Sequence, residues 1–146
     1  MKFIIASALV VLSLSSFASS IPDCKDRNGN VINGSIAQLK EIMNLREYNP
    51  QAYATGVISQ IQKEDTNGLP HQKFLLKVDN ETTLQIVSNL DFGRIPLVVG
   101  KQISVCGEYK KVGKGMIHWT HFDPHGGHPD GFSVLDGKLY GDKEIN

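Results

Sequence analysis

Net charge is the plainest thing this chain does without: 15 Lys and Arg stand against 15 Asp and Glu. Such a balance supplies no electrostatic reason for nucleic acid or an anionic membrane as an obligatory partner, because both reward a surplus of cations. Long apolar runs are equally scarce. After residues 3–14 no stretch approaches the roughly 20 residues of a membrane-crossing helix, so no transmembrane segment is expected. Cysteine is limited to Cys24 and Cys106, and without a C-x-x-C pair nothing points to dithiol redox chemistry or a thiolate metal site. The patterns G-x-S-x-G and G-x-x-x-x-G-K-[ST] are missing too. With them go the nucleophile elbow of the α/β-hydrolases and the phosphate-cradling loop. There is no internal repeat and no low-complexity tract.

What is present begins with an address. Lys2 gives a positive start, Phe3 to Leu14 an apolar run, and Ser16, Ala18 and Ser20 a small-residue exit. That order reads as a secretory signal peptide over residues 1–20, cut after Ala18 or Ser20, and the expected product is periplasmic or secreted. About 126 residues remain, enough for one domain with a modest core. In an oxidising compartment Cys24 and Cys106 are expected to pair. Closing so long a loop stabilises by roughly 4 kcal/mol on chain-entropy grounds. Asn33-Gly34-Ser35 and Asn80-Glu81-Thr82 match the glycosylation sequon, which matters only in a eukaryotic secretory pathway.

Residues 21–52 read as an extension with one helix. Ser35 is a fitting N-cap, Gln38 holds the capping-box position, and Ile36, Leu39, Ile42 and Met43 recur at helical spacing until Pro50 forbids continuation. Residues 53–146 read as strands. "YATGVISQIQK" alternates, with Gly56 marking a bend. "HQKFLLKVD" and "TTLQIVSN" flank the Asp79-Asn80-Glu81 step as a hairpin, and "LDFGRIPLVVG" is an irregular link. "KQISVCGEYKK" sets Ile103 and Val105 on the face opposite Cys106, "MIHWTHF" follows the "VGKG" turn, and "FSVLDGKLYG" reads as a small hairpin about Asp136-Gly137. The expected fold is mainly β: a small, five-stranded, partly open barrel of the oligonucleotide/oligosaccharide-binding (OB) kind, with one amino-terminal helix placed before the first strand.

Four of the five histidines fall within "HWTHFDPHGGHPDG". Asp123-Pro124, Gly126-Gly127 and Pro129 forbid a helix there, so His118, His121, His125 and His128 must lie on a strand end that breaks into a loop. On a regular strand His118 and His121 point to opposite faces, and they converge only where the chain twists or bulges, for which Thr120 is the natural place. His71, at the start of the second strand, is placed to meet them across the barrel. Neutral imidazoles ligate zinc, copper, nickel or iron, and Asp123 or Asp130 can ligate or orient a ring. Glu108 in "CGEY" is a candidate general base or a solvated carboxylate. Trp119, Phe122, Phe132 and Tyr140 surround the cluster with aromatic surface.

"HQKF", "GEY" and "HWTH-x-DP", with a later His128 and a Gly-aromatic pair, resemble a bacterial family of small exported proteins, the domain of unknown function 3465. The resemblance runs from Thr55 to Tyr140 and takes in "TGVI" and the "SNLD…IPL" link. The matched positions are His71, Gln72, His118, Trp119, Thr120, His121, Asp123, Pro124 and His128. His125 and Phe132 depart from the pattern. The resemblance implies no activity, but it leaves His71, His118, His121 and His128 as the expected ligand set.

Three functions follow. The first is a binding module for a divalent transition metal, zinc foremost, or for a small polar or anionic ligand. The second is a metal-dependent hydrolase acting outside the cytoplasm on a phosphodiester or similar polymer, with His71, His118, His121 and Asp123 as catalytic candidates. In the third, an effector or envelope protein with an extracellular protein partner, the histidines merely cap a strand.

Overall fold

Residues 20–65 and 68–143 are described by a computed structural model; all but the last residue of the expected leader lies outside them. Elements follow in the order α1 (Ile36–Asn44), β1 (Gln51–Asp65), β2 (His71–Lys77), β3 (Thr83–Asn89), a 3₁₀ turn (Leu90–Phe92), β4 (Gln102–Lys110), β5 (Met116–His118), β6 (Phe132–Leu135) and β7 (Lys138–Tyr140). No helix among the described residues is long and apolar enough to cross a membrane.

The first five strands hydrogen-bond in a ring, β1 to β2 to β3 to β5 to β4 and back to β1, with β3 and β5 the one parallel pair. This is the small, partly open OB-like barrel that the strand pattern predicts. β1 is long enough to serve two neighbours: Gln51 to Val57 pair with β4, and Val57 to Asp65 with β2. Gly56 stands at the changeover, where a side chain would collide with the Lys77 carbonyl. The β2–β3 turn is held by Asp79, whose carboxylate accepts the backbone N–H of Glu81 at 2.8 Å and of Thr82 at 2.6 Å. The closing β6–β7 hairpin has left-handed Asp136 (φ 51°) and Gly137 (φ 75°), as a two-residue turn of this hand requires.

Ile58, Phe74, Leu76, Leu84, Ile86, Ile103, Val105 and Ile117 fill the barrel, and Leu39 and Ile42 of α1 join them. The helix covers its whole apolar pattern, Ile36 to Met43. It stops at Asn44, well before Pro50, while Ile36 is exposed and Met43 only partly covered. Ser35 Oγ accepts the Gln38 N–H at 3.2 Å, but Gln38 Oε1 reaches past the cap to the N–H of Asn33 at 2.8 Å, so the capping box closes two residues early. Cys24 and Cys106 are bonded, and with Phe132 they form a second small apolar cluster outside the ring.

Candidate functional site

β5 and β6 lie along the same edge of β4. His118 pairs with Glu108 and Phe132 with Cys106, so only Gly107 separates the end of one strand from the start of the next. Residues 119–131 therefore leave the sheet and return within a single residue step of β4. The departure is made at Trp119, whose φ of 55° is left-handed. The expected "MIHWTHF" strand accordingly ends at His118, and the break falls one residue before Thr120. Glycines make the crossing feasible: a side chain at Gly107 would strike the His118 carbonyl, and one at Gly131 the Trp119 carbonyl. The neck of the loop is tied by Gly131 N–H to His121 O at 2.9 Å and Phe122 N–H to Gly141 O at 2.7 Å. Its tip is organised by the Asp123 carboxylate, which accepts the N–H of His125 at 2.8 Å and of His128 at 2.7 Å.

The left-handed turn stands the indole of Trp119 among the histidines. Its ring centroid is 4.6 Å from that of His118, 4.6 Å from His128 and 5.7 Å from His121. His71 meets His118 at 5.5 Å, and His121 meets His128 at 5.0 Å with perpendicular planes. Phe92, from the 3₁₀ turn, stacks on His121 at 3.9 Å. The four histidines thus form two pairs, His71 with His118 and His121 with His128, and the tryptophan ring neighbours both. Among the described residues no group of three or more His, Cys, Asp or Glu side chains is positioned to hold a metal ion as it stands.

Three of the rings are anchored alike. His71 Nδ1 lies 3.2 Å from Asp65 Oδ1, His121 Nδ1 2.7 Å from the Phe122 carbonyl, and His128 Nδ1 2.8 Å from the Pro129 carbonyl. Carbonyls and carboxylates only accept, so each Nδ1 is a donor, and each neutral ring is left with a lone pair on Nε2. For His121 that nitrogen is buried without a hydrogen-bond partner, in a residue only 6% exposed. Burial, followed by the fields of Lys110 and the other three histidines, lowers the His118 pKa to about 4. Burial also lowers His121, against its bond to the Phe122 carbonyl, which works the other way. Both rings are neutral near pH 7. Burial works to raise the Asp123 carboxyl, but the N–H groups of His125 and His128 outweigh it and hold the group at about 2.

Trp119, His121, Asp123 and His128 face a cleft of about 740 Å³ that also has Arg27, Asn89, Phe92 and Lys110 on its walls, whereas His71 and His118 do not line it. His71, His118, His121 and His128 are brought into one cluster, whereas His125 is exposed and joins it only through its backbone. Asp123 holds the loop; its Oδ2 is 3.8 Å from His128 Nε2. Asp130 accepts the Asp123 N–H at 2.9 Å. Glu108 is neither a free base nor a solvated carboxylate: it is 3% exposed and accepts a hydrogen bond from Arg27. Gln72 and Thr120 are structural. Gln72 bonds both backbone groups of Ile95, and Thr120, 1% exposed, donates to the Val87 carbonyl. Phe92, Arg27 and Asp65 went unread in the sequence. Asp65 alone had a signal, since a hairpin ending at "EDTNGLPH" sets it opposite His71.

A family model described as "Protein of unknown function (DUF3465)" matches residues 29–141, reaching back through α1 to the turn that follows Cys24. No curated protein matches the chain.

Proposed function

The chain belongs to the DUF3465 family of proteins of unknown function, and from that premise we propose that it is an exported binding module whose histidine cleft takes a divalent transition-metal ion, zinc first. The observation that carries this reading is the buried, unpartnered Nε2 of His121. A lone pair held away from water calls for a partner that accepts electrons, and three histidines anchored through Nδ1 offer the same group. An anion is the wrong partner for such a set. At a metal–nitrogen distance of about 2 Å, two imidazoles on one tetrahedral ion have centroids about 5 Å apart, the spacing of His121 and His128. The ion's remaining positions fall to His118 and His71 after ring rotation, to Asp123, or to water. Zinc titration of the mature chain, purified without a histidine tag, tests this. About one ion per chain is expected, and His121→Ala or His128→Ala should weaken binding on the order of tenfold or more. Equal uptake by the wild type and both variants would refute it.

A second reading is favoured by the aromatic walls. The cleft is far larger than one ion needs, and Trp119 and Phe92 line it. A small hydroxyl-bearing ligand can stack there and donate to His121 Nε2. Binding without added metal, lost in Trp119→Ala, distinguishes it. Hydrolysis of a phosphodiester, abolished by chelation, would add the hydrolase chemistry. Unchanged folding and full protein-partner binding in a His118/His121 double alanine variant would leave the histidines purely structural.

A further inference from the structure

The amino-terminal segment contributes Arg27 to the wall of this cleft. Cys24 is bonded to Cys106 on β4, and the following residues make a tight turn closed by a bridge between Lys25 and Val31. Asp26 organises that turn. Its Oδ1 accepts the N–H of Asn28 at 2.8 Å and of Asn30 at 2.9 Å, and its Oδ2 accepts the Asn30 amide at 2.9 Å. The turn presents Arg27 to the barrel. One guanidinium nitrogen, Nη2, donates to Glu108 Oε1 at 3.1 Å and to the Gly127 carbonyl at 3.2 Å. Glu108 belongs to the barrel wall; Gly127 belongs to the tip of the histidine loop. A single side chain therefore joins the two sides of the cleft.

We infer that Arg27 is the positioning residue of the histidine loop, and that the Cys24–Cys106 disulfide is what delivers it there. The buried Glu108 carboxylate needs a cation, and among the described residues Arg27 is the one paired with it, so the guanidinium is held at the wall. Gly126-Gly127 has a large backbone entropy to lose, so a tie reaching it from outside the loop changes its order measurably. Only two residues separate Cys24 from Arg27, so breaking the S–S bond removes the covalent anchor of the turn. A small dithiol does this: its thiolate attacks one sulfur, the mixed disulfide resolves intramolecularly, and two protein thiols and the oxidised cyclic reagent result.

Trp119 is the chain's one tryptophan, and its emission reports the loop without any ligand. In the disulfide-intact mature protein, Arg27→Gln should red-shift that emission and raise its quenching by acrylamide, with Arg27→Lys between it and the wild type. Dithiol should produce the same shift in the wild type and add nothing in Arg27→Gln, while far-ultraviolet dichroism of the barrel is unchanged. Wild-type emission in Arg27→Gln, or a dithiol effect undiminished in that variant, overturns the inference. If reduction melts the barrel, the disulfide-intact variants decide alone. Zinc titration adds an arm that rests on the metal reading: Arg27→Gln should bind about tenfold more weakly. Failure of every form to bind zinc sinks that reading, and the emission arm still decides the role of Arg27.

Discussion

Phe92 lies flat on His121, their centroids 3.9 Å apart and their planes 16° from parallel. The phenyl ring comes from an irregular link and the imidazole from a loop, yet together they keep water from His121 Nε2, the one buried side-chain nitrogen among the described residues that lacks a partner. Removing Phe92 hydrates His121 and weakens the main cause of its lowered pKa. Phe92→Ala should therefore raise the His121 pKa toward its ordinary value, followed by NMR titration of the ring protons. Phe92 is only partly buried, so the accompanying loss of stability should be about 1–2 kcal/mol, well below a core phenylalanine. An unmoved His121 titration would show that the loop backbone, and not the phenyl ring, excludes water.

Asp65 fixes His71, whose ring lies 5.5 Å from that of His118, in the tautomer that leaves its Nε2 lone pair free. Asp65→Ala frees the ring to exchange tautomers and to turn. Zinc affinity should fall about tenfold, within the range seen when a ligand's outer partner is lost. Nitrogen-15 shifts of His71 should move toward a tautomer mixture. Tautomer change without affinity change would remove His71 from the ligand set.

Much of the ring was legible because its punctuation is local. The Asp79-Asn80-Glu81 and Asp136-Gly137 turns, the Ser35 cap and the alternation of β4 all act over a few residues. The site was half legible. Prolines and glycines ruled out a helix at His118–Pro129, but the shape of the break was not readable. Trp119 carries no turn signal, and its left-handed φ is imposed by strands β5 and β6 closing on either side of Gly107. Arg27 and Glu108 are 81 positions apart, and no local pattern announces such a pair. The clustering of histidines announced a site; its division into two pairs about an indole arises only in three dimensions.

His118 gives the fold a pH dependence of known sign. Its folded pKa, lowered to about 4, lies below the ordinary value of 6.5. Between those values the unfolded chain binds the proton more readily, so stability is full above about pH 6.5 and declines as pH falls toward about 4. His118→Gln, which cannot titrate, should flatten this part of the profile in urea melts taken from pH 7 to 4.5. Asp123, held at about 2, acts only lower: its contribution is lost as pH falls from 3.8 through about 2. An equally steep decline in His118→Gln would assign the dependence to another group.

Gly131 and Gly126 lie in the same loop and separate two kinds of constraint. At Gly131 a methyl group would meet the Trp119 carbonyl and stand 2.8 Å from the Cys106 carbonyl and 2.9 Å from the His121 nitrogen, all of it backbone that cannot swing aside. At Gly126 the space is open, and the only obstacle is a φ of +68°. Gly126→Ala should therefore lose about 1 kcal/mol, the usual penalty for a left-handed alanine, and keep the Trp119 emission of the wild type. Gly131→Ala should lose about 3 kcal/mol and shift the emission, because the neck must spread before the methyl fits. Thermal melts and Trp119 fluorescence read both quantities on the same samples. Were the two variants alike, the histidine cleft would not depend on the close return of residues 119–131 to β4, and the left-handed Trp119 would need another cause.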